Sequence, residues 1–294
     1  MPRQQISMVK SRLVSKIGQV QLKLKDFRYY DLASYAINGL TSRKGYYFHK
    51  NIAYGLKARQ RLDLFRSKSP HQKRPLIVFV YGGAWSHGDK KAYKFVGEAF
   101  AKEGFDVAVI NYHLAPEHIF PSYVDDLTLA INFLSQQKQK LEISSDNIVL
   151  MGHSAGAFNL MSALYHPSPY EKTDLDNIKA VVGIAGPYHF DYKGDPLAQD
   201  AFDQSVPFQQ VMPYYFVKSN QIRHYLLTAE NDKIVRDSNS IDMQNMLKQH
   251  GNHCEVRIIP KTGHVTIMGS VSSLFSPFFS TKSQILQCLD ETFN

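Results

Sequence analysis

The chain has 294 residues, of which 44% are hydrophobic and 12% aromatic, which is enough for one large domain with appendages. The best apolar stretch, 75–80, is only of strand length, whereas a transmembrane helix needs about 18 or more apolar residues, so a membrane span is excluded. The first residues lack a continuous apolar region and a small-residue cleavage site, so we expect no secretory signal and a cytoplasmic protein.

The formal net charge of +8 is concentrated at the N-terminus. Residues 1–61 contain thirteen Lys and Arg against two Asp, so the rest of the chain is slightly acidic. Between residues 6 and 27, apolar side chains recur at spacings of three and four with basic residues mostly between them, which predicts a basic amphipathic helix. The apolar positions are Ile6, Val9, Leu13, Ile17, Val20, Leu24 and Phe27.

Such a helix can pack on the parent domain as a cap or make peripheral contact with an anionic membrane, and we favour the cap. No stacking or groove-reading motif accompanies the charge, so we expect no nucleic-acid partner. The pattern therefore predicts an N-terminal extension over 1–45 and a catalytic domain over 46–294. The oligomeric state has no signature in the sequence.

The remaining chain alternates short apolar runs with amphipathic stretches. Two runs on either side of Gly55, within 47–65, predict an antiparallel hairpin at the edge of a sheet. Mostly continuous apolar runs predict buried strands at 76–81, 106–111, 147–151, 180–184, 224–228 and 254–259. Helical periodicity predicts helices at 91–103, 123–138, 155–165, 237–250 and 282–293. This alternation predicts an α/β fold with a mainly parallel central sheet flanked by helices.

One stretch, 186–221, breaks the alternation, because it holds several prolines and aromatics without clean periodicity. It could be a cap over a pocket or an irregular surface insertion, and the sequence favours neither. The two cysteines, Cys254 and Cys288, lie in a predicted strand and a predicted helix and have no CxxC partner. We therefore expect buried free thiols, and neither a metal nor a cofactor.

The first chemical motif in chain order is Tyr81-Gly82-Gly83-Ala84-Trp85, which follows the apolar run 76–80. Paired glycines let the backbone approach a ligand and turn N–H groups toward it, as an oxyanion hole requires. Gly82, Gly83 and Ala84 are therefore candidate donors, although paired glycines after a strand can also form a mere tight turn. Trp85 is expected to wall the substrate pocket or to fill the core.

The strongest local signal is Gly152-His153-Ser154-Ala155-Gly156, between a predicted strand and a predicted helix. A nucleophile elbow needs this context, because the turn is so tight that glycines must flank the serine. The N–H of Ala155 at the helix start can stabilise negative charge on a substrate oxygen. His153 points away from the nucleophile in a normal elbow and is a candidate substrate contact. The alternatives are a phosphate loop and a simple helix cap.

A base and an acid are expected later in the chain, since this type of site runs in the order Ser, acid, His. His264 follows the predicted strand 254–259 through a short turn, whereas His113 and His118 precede the serine. Asp232 follows the strand 224–228 and is the preferred acid, with Glu230 as competitor. The catalytic residues predicted from the sequence are thus Ser154, Asp232 and His264.

These segments together resemble the esterase and lipase branch of the α/β-hydrolases, which includes hormone-sensitive-lipase-like carboxylesterases, arylformamidases and isoprenylcysteine methylesterases. The resemblance covers most of 50–294 and includes the segment 111–121, NYHLAPEHIFP, which is similar to that group's Y-R-L-A-P-E-H-x-F-P. It implies the α/β-hydrolase fold, the same three catalytic residues and a bracing role for Asp126. Tyr81 and Ala84 replace a histidine and a glycine of H-G-G-G, and His113 replaces an arginine.

We therefore expect a serine esterase that cleaves small to medium, apolar carboxylic esters through an acyl-enzyme on Ser154. An arylformamidase using the same residues is the alternative within enzymes, because resemblance at this level carries the reaction type and not the substrate. A catalytically silent binding protein on a hydrolase scaffold is the alternative from another class.

Overall fold

The computed structural model describes residues 37–39, 41, 44–167 and 176–294, and an eight-stranded sheet lies at its centre. The predicted helix over 6–27 lies outside the described residues, so its packing stays a prediction. Among the described residues, no helix has the length and apolar character needed to cross a bilayer.

The sheet has the strand order β1-β2-β4-β3-β5-β6-β7-β8. β1 pairs antiparallel with β2 and β2 antiparallel with β4, whereas all later pairs are parallel. The strands are β1 Tyr46–Ala53, β2 Arg61–Ser67, β3 Leu76–Val80, β4 Asp106–Ile110, β5 Ile148–His153, β6 Ile178–Ile184, β7 Arg223–Ala229 and β8 Cys254–Ile259. The predicted edge hairpin and all six predicted strands are confirmed, with ends that differ by at most two residues.

Helices connect most of the parallel strands, and the bounds of the longer ones agree closely with the predicted bounds. They are α1 Lys94–Ala101, α2 Ser122–Gln136, α3 Lys138–Leu141, α4 Ala155–Tyr165, α5 Ser238–Gln249, α6 Thr266–Gly269 and α7 Thr281–Phe293. The predicted helix 91–103 is divided into a 3₁₀ turn, Lys90–Tyr93, and α1. The short helices α3 and α6 were not predicted, since four residues are too few for a periodic pattern.

Every residue of β3, β4 and β5 is buried, because helices cover both faces of the sheet. On one face α2 packs against α4, and an ion pair of 2.7 Å joins Lys282 in α7 to Glu103, just after the end of α1. β-branched and aromatic side chains dominate β3, which suits a strand buried on two sides. Cys254 and Cys288 are free and buried, as expected.

The loops that follow β3, β5, β7 and β8 lie at the carboxyl edge of the parallel strands. Val80 at the end of β3 pairs with Gly152 in β5, which brings the two glycine motifs side by side. Residues 186–221 follow β6 at the same edge and form a loop with two 3₁₀ turns, Phe208–Gln210 and Pro213–Phe216. Ligand sites of parallel α/β sheets form at this edge.

Candidate active site

Ser154 occupies the sharp turn between β5 and α4, where its backbone has φ 54° and ψ −122°. This conformation is unfavourable for any residue with a Cβ, and it persists only where the surrounding structure enforces it. Gly156 permits the turn, because a Cβ there would lie 2.1 Å from the carbonyl oxygen of Val80. The helix start thus packs directly against β3, and the side chain of Ser154 is held at the top of the sheet.

His264 lies beside Ser154, in the loop between β8 and α6. Its Nε2 is 2.9 Å from Oγ of Ser154, and its side chain is buried. The two residues are far apart in sequence, and the parallel strands β5 and β8 bring their carboxyl ends to the same edge. A serine hydroxyl at this distance can donate its proton to a neutral imidazole.

Asp232 completes the row, because its Oδ2 lies 2.8 Å from Nδ1 of His264. Its Oδ1 accepts hydrogen bonds from the amides of Ile234, at 2.8 Å, and Val235, at 2.9 Å. Burial by itself would raise the pKa of the Asp232 carboxyl, but the hydrogen bonds and the charge of His264 outweigh it and hold that pKa below its ordinary value. The carboxylate is therefore ionised and oriented toward the imidazole at neutral pH.

Glu230, the competing acid, lies elsewhere in the same turn. Its Oε2 accepts a hydrogen bond of 2.8 Å from the amide of Lys261, in the turn that leads to His264. Its carboxylate therefore braces the turn and does not contact the imidazole.

The loop after β3 packs against the serine turn. A Cβ at Gly82 would lie 2.8 Å from Cβ of Ser154, so only glycine allows this approach. The loop then turns tightly, with positive φ at Gly83, Ala84 and Trp85 and with the amides of the two residues that follow bonded to the carbonyl of Gly83.

The amides of Gly83 and Ala84 donate no hydrogen bond to any part of the chain that the structure describes. The amide of Ala155, at the first position of α4, has no acceptor within its helix. Ala84 and Ser154 line the same cavity. The loop is therefore a tight turn whose backbone amides lie near the serine.

A cavity of about 460 Å³ opens above Ser154. Residues after β6 form one wall and residues after β7 the other, and the lining comprises Ala84, Trp85, Ser154, Pro187, His189, Phe190, Asp191, Asp195, Leu197, Ala198, Ile234, Val235, Arg236, Ser238 and Asn239. The irregular segment 186–221 thus supplies much of the pocket. Sequence reasoning did not identify its individual contacts, because a loop without periodicity gives no signal for which side chains turn inward.

Trp85 belongs both to the core and to the wall of the cavity. It is 3% exposed, its Nε1 donates to Oδ1 of Asn159 at 3.0 Å, and it nevertheless lines the cavity. Its ring lies nearly parallel to that of Phe190, with 6.4 Å between centroids, and edge-on to Phe202 at 4.8 Å. The indole therefore fixes the aromatic side of the pocket against the segment 186–221.

His153, the candidate substrate contact, is not among the residues that line the cavity. The ring is buried, lies 5.0 Å from the ring of His264, and places Nε2 at 2.8 Å from the backbone oxygen of His264. Burial, followed by the neighbouring charge of His264, lowers the pKa of His153 to about 3. His153 therefore stays neutral and bonds the loop of His264.

Asp126 in α2 binds the segment after β4. Its Oδ2 accepts hydrogen bonds of 2.6 Å from both the amide and Nδ1 of His113, and its Oδ1 accepts one of 2.9 Å from Gln60. The ring of His118 packs on that of His113, with centroids 4.1 Å apart. Through these contacts, α2 holds the segment that follows β4. Further along this segment, the amide of Ala115 donates a hydrogen bond to the carbonyl oxygen of Trp85.

Comparison with known protein families matches residues 62–247 to the family described as BD-FAE. A probable isoprenylcysteine alpha-carbonyl methylesterase of Oryza sativa subsp. japonica is 31% identical over 176 residues, which are 56% of this chain and 42% of that protein. The kynurenine formamidase of Drosophila melanogaster is 28% identical over 138 residues, which are 47% of this chain and 45% of that protein. The chain therefore spans less than half the length of these curated relatives.

Among solved structures, an inhibited form of esterase B from Lactobacillus rhamnosis superimposes with a TM-score of 0.76 at 17% identity. The likeness covers 95% of this chain and 96% of that one. At so low an identity it shows a common fold and nothing about substrates.

Proposed function

Because the chain belongs to the BD-FAE family and has the α/β-hydrolase fold, we propose that it hydrolyses carboxylic esters through a covalent intermediate on Ser154. One observation carries the proposal: Oγ of Ser154 lies 2.9 Å from His264, which in turn lies 2.8 Å from Asp232. A serine, an imidazole and a carboxylate in this sequence of contacts form the arrangement that makes a serine hydroxyl nucleophilic.

In the first half of the reaction, Oγ of Ser154 attacks the ester carbonyl carbon while Nε2 of His264 takes the hydroxyl proton. The imidazolium then gives that proton to the departing alkoxide, so an alcohol leaves and an acyl group remains on the serine. A water molecule attacks the acyl carbon with His264 again as base, which releases the acid and restores the hydroxyl. Asp232 keeps the proton on Nδ1 and stabilises the imidazolium.

The negative charge on the carbonyl oxygen is received by backbone amides. Gly82, Gly83, Ala84 and Ala155 are the proposed contributors. The strongest support falls on Ala84, which lines the cavity with Ser154, and on Ala155 at the start of α4. Gly82 acts mainly by its small size, because it allows the loop to approach the serine.

The size and lining of the cavity support a substrate of small to medium size. A volume of about 460 Å³ lies at the lower end of drug-sized binding pockets. Trp85, Phe190 and Leu197 give the cavity apolar surface, whereas Asp191, Asp195 and Arg236 add charged groups to its lining. We propose that an apolar acyl or alcohol group of the substrate lies against the apolar part of this lining.

Hydrolysis of an N-formyl aromatic amine is the second candidate function. The nearly parallel rings of Trp85 and Phe190 give the pocket a flat aromatic side that suits an aryl group. A formamide carbonyl would be attacked by the same serine, with an aromatic amine as leaving group. The similarity to a kynurenine formamidase supports this alternative.

The test uses a fluorophosphonate probe and two substrate panels. We expect the wild-type chain to be labelled and Ser154→Ala to be neither labelled nor active. p-Nitrophenyl acyl esters should be hydrolysed faster than kynurenine-type formamides. Turnover of the formamide alone would replace the ester proposal with the second one, and a folded wild-type protein without any labelling would indicate a catalytically silent binding protein.

We also propose a cytoplasmic location, because Cys254 and Cys288 are free thiols and reduced cysteines are typical of that compartment. A peripheral membrane contact through 6–27 is the competing role for the N-terminal extension.

A further inference from the structure

A second cavity lies beside the loop 81–88, near the turn between β1 and β2. Its volume is about 400 Å³, and its lining includes the cationic side chains Arg59, Arg61, Lys90 and Lys91. The two cavities have no lining residue in common. The second cavity is therefore separate from the proposed catalytic pocket.

Arg59 is held in this cavity by neutral oxygens. Its Nε donates to the carbonyl of Tyr112 at 2.6 Å, and its Nη2 donates to the hydroxyl of Tyr81 at 2.8 Å and the carbonyl of Gly88 at 2.9 Å. Such bonds fix the position of a guanidinium without neutralising its charge. Among the residues that the structure describes, none accepts a hydrogen bond from Nη1, which can therefore bind a ligand.

Arg61 is oriented in the same way. Its Nη1 donates to three carbonyl oxygens of the β1–β2 turn, those of Gly55, Lys57 and Gln60, at 2.9–3.1 Å. Within the described ranges of the chain, no carboxylate forms an ion pair with Arg59 or Arg61. In the same part of the chain, Nε and Nη2 of Arg61 make no hydrogen bond, so they are a second pair of charged donors at this cavity.

The acidic side chains nearby do not cancel this charge. Asp89, the acidic residue of the lining, uses Oδ1 for the amide of Lys91, at 2.9 Å, and Oδ2 for Asn111, at 3.0 Å. Lys90 is paired with the buried Asp63 at 2.6 Å. Four cationic side chains and one carboxylate therefore line the cavity, and a second carboxylate, that of Asp63, lies behind Lys90. The net charge around the cavity is positive.

We propose that this cavity is a binding site for a phosphate group, held mainly by Arg59, Arg61 and Lys91. Guanidinium groups donate paired, charge-assisted hydrogen bonds that match phosphate oxygens, and a lysine adds a mobile positive charge. The cavity is larger than a phosphate ion, which leaves room for the organic part of a small phosphorylated compound or of a lipid headgroup. Binding at this site is independent of the proposed hydrolase activity.

The test is calorimetric titration of the full chain with inorganic phosphate at constant ionic strength. We expect binding to the wild type and about tenfold weaker binding to Arg61→Gln, as the loss of one charge-assisted contact implies. Lys91→Gln should weaken binding without touching the carbonyl contacts of the hairpin turn. Arg74→Gln is the matched control, because Arg74 precedes β3 and so lies at the opposite end of the sheet.

A second measurement separates this site from the catalytic pocket. Protein labelled on Ser154 with a phosphonate should still bind phosphate with unchanged affinity, because the two cavities share no residue. Loss of binding on labelling would overturn the proposal, as would absent binding to the wild type or equal binding by wild type, Arg61→Gln and Lys91→Gln.

Two further ligands test whether the phosphate group belongs to a soluble compound or to a lipid. Glycerol 3-phosphate represents soluble monoesters, and vesicles of phosphatidylcholine with phosphatidic acid represent lipid headgroups. Weaker binding of either ligand to Arg61→Gln than to Arg74→Gln supports the site and identifies the source. Binding of both ligands that is insensitive to Arg61→Gln would contradict the site.

Discussion

At the scale of the residue, Ser154 combines backbone strain with chemical position. A non-glycine residue in a sparsely populated backbone region costs about 1–3 kcal/mol, which neighbouring contacts must offset. Those contacts are the close packing of α4 on β3 and the bond from the amide of Ser154 to the carbonyl of Ile184. The strained conformation directs the side chain toward the cavity and places its hydroxyl within hydrogen-bond distance of His264.

The carboxylate of Asp232 sets the tautomer of His264. In Asp232→Asn, the amide nitrogen would donate to Nδ1 of the imidazole and so move the imidazole proton to Nε2, which could no longer take the proton of Ser154. We expect kcat for a p-nitrophenyl ester to fall by about 10³- to 10⁴-fold with little change in KM. Steady-state kinetics near neutral pH checks this.

Glu230→Gln is the control for that substitution, since Glu230 lies in the same turn and bonds Lys261 instead of the imidazole. Its kcat should stay near the wild-type value. A large fall in kcat for Glu230→Gln with a small fall for Asp232→Asn would mean that Glu230, and not Asp232, orients the imidazole.

At the scale of the element, the junction of β3, β5 and α4 depends on glycine. In Gly156→Ala the new methyl group would meet the carbonyl oxygens of Val80 and Tyr81 at 2.1 and 2.6 Å, and these backbone atoms have little room to move. We expect the free energy of unfolding to fall by about 1–3 kcal/mol, together with loss of activity. Urea denaturation measures the first effect.

Gly269→Ala in α6 offers the matched control, because its new methyl group would have one neighbour, at an ordinary contact distance of 3.9 Å. It should leave stability and activity nearly unchanged. Equal stability of Gly156→Ala and the wild type would mean that α4 can move away from β3 without a loss of free energy of unfolding.

The segment 186–221 shapes the pocket through a few inward side chains. Phe190→Ala would remove the ring that faces Trp85 across the aromatic side of the cavity. We expect KM for an aromatic ester to rise several-fold while kcat changes less, because the lost contact serves binding and not the reacting atoms. Comparison of phenyl and methyl esters would show the selectivity of the loss.

Phe208→Ala makes the same change in the same segment, at a partly buried ring that does not line the cavity. Its KM should match that of the wild type. If both variants raised KM equally, the effect would come from general loosening of the segment.

At the scale of the whole molecule, two buried neutral histidines make stability depend on pH. Burial is the main cause that lowers the pKa of His153 to about 3 and that of His224 to about 4. The unfolded chain binds protons at these positions below about pH 6.5, whereas the folded chain does not. Their contribution to stability is therefore complete above that pH and is lost as the pH falls toward the folded values.

His153→Gln should flatten this dependence, since the amide can replace the contact to His264 without titrating. A single histidine of this kind contributes a slope approaching about 1.4 kcal/mol per pH unit between its two pKa values. Denaturation midpoints from pH 7 to pH 4 would measure it, with the exposed His49→Gln as the reference. An unchanged slope in His153→Gln would show that its ring is protonated in the folded state.

The N-terminal extension is tested by removing residues 1–36. Ile37 packs on the core, and Asn38 bonds the carbonyl of Lys91 and the amide of Phe95, so the chain enters the domain at the start of α1. If the predicted helix caps the domain, the truncated protein should have a lower unfolding midpoint. An unchanged midpoint with weaker binding to anionic vesicles would instead assign the helix to a membrane surface.

The amino-acid sequence determined the features that depend on short-range order. Continuous apolar runs identify the buried strands, and a serine between glycines at a strand end identifies the turn of Ser154, because local backbone geometry leaves few residue types for such a place. The choice of His264 and Asp232 followed from chain order, because parallel strands end at one edge of the sheet.

Only the tertiary structure decided what depends on side-chain direction and long-range packing. It separates Asp232 from Glu230 by their hydrogen bonds, places the ring of His153 against the backbone of His264, and brings Trp85 against Phe190 from an irregular segment. It also gathers Arg59, Arg61 and Lys91 around one cavity. Such contacts join distant parts of the chain, so no local pattern of residues specifies them.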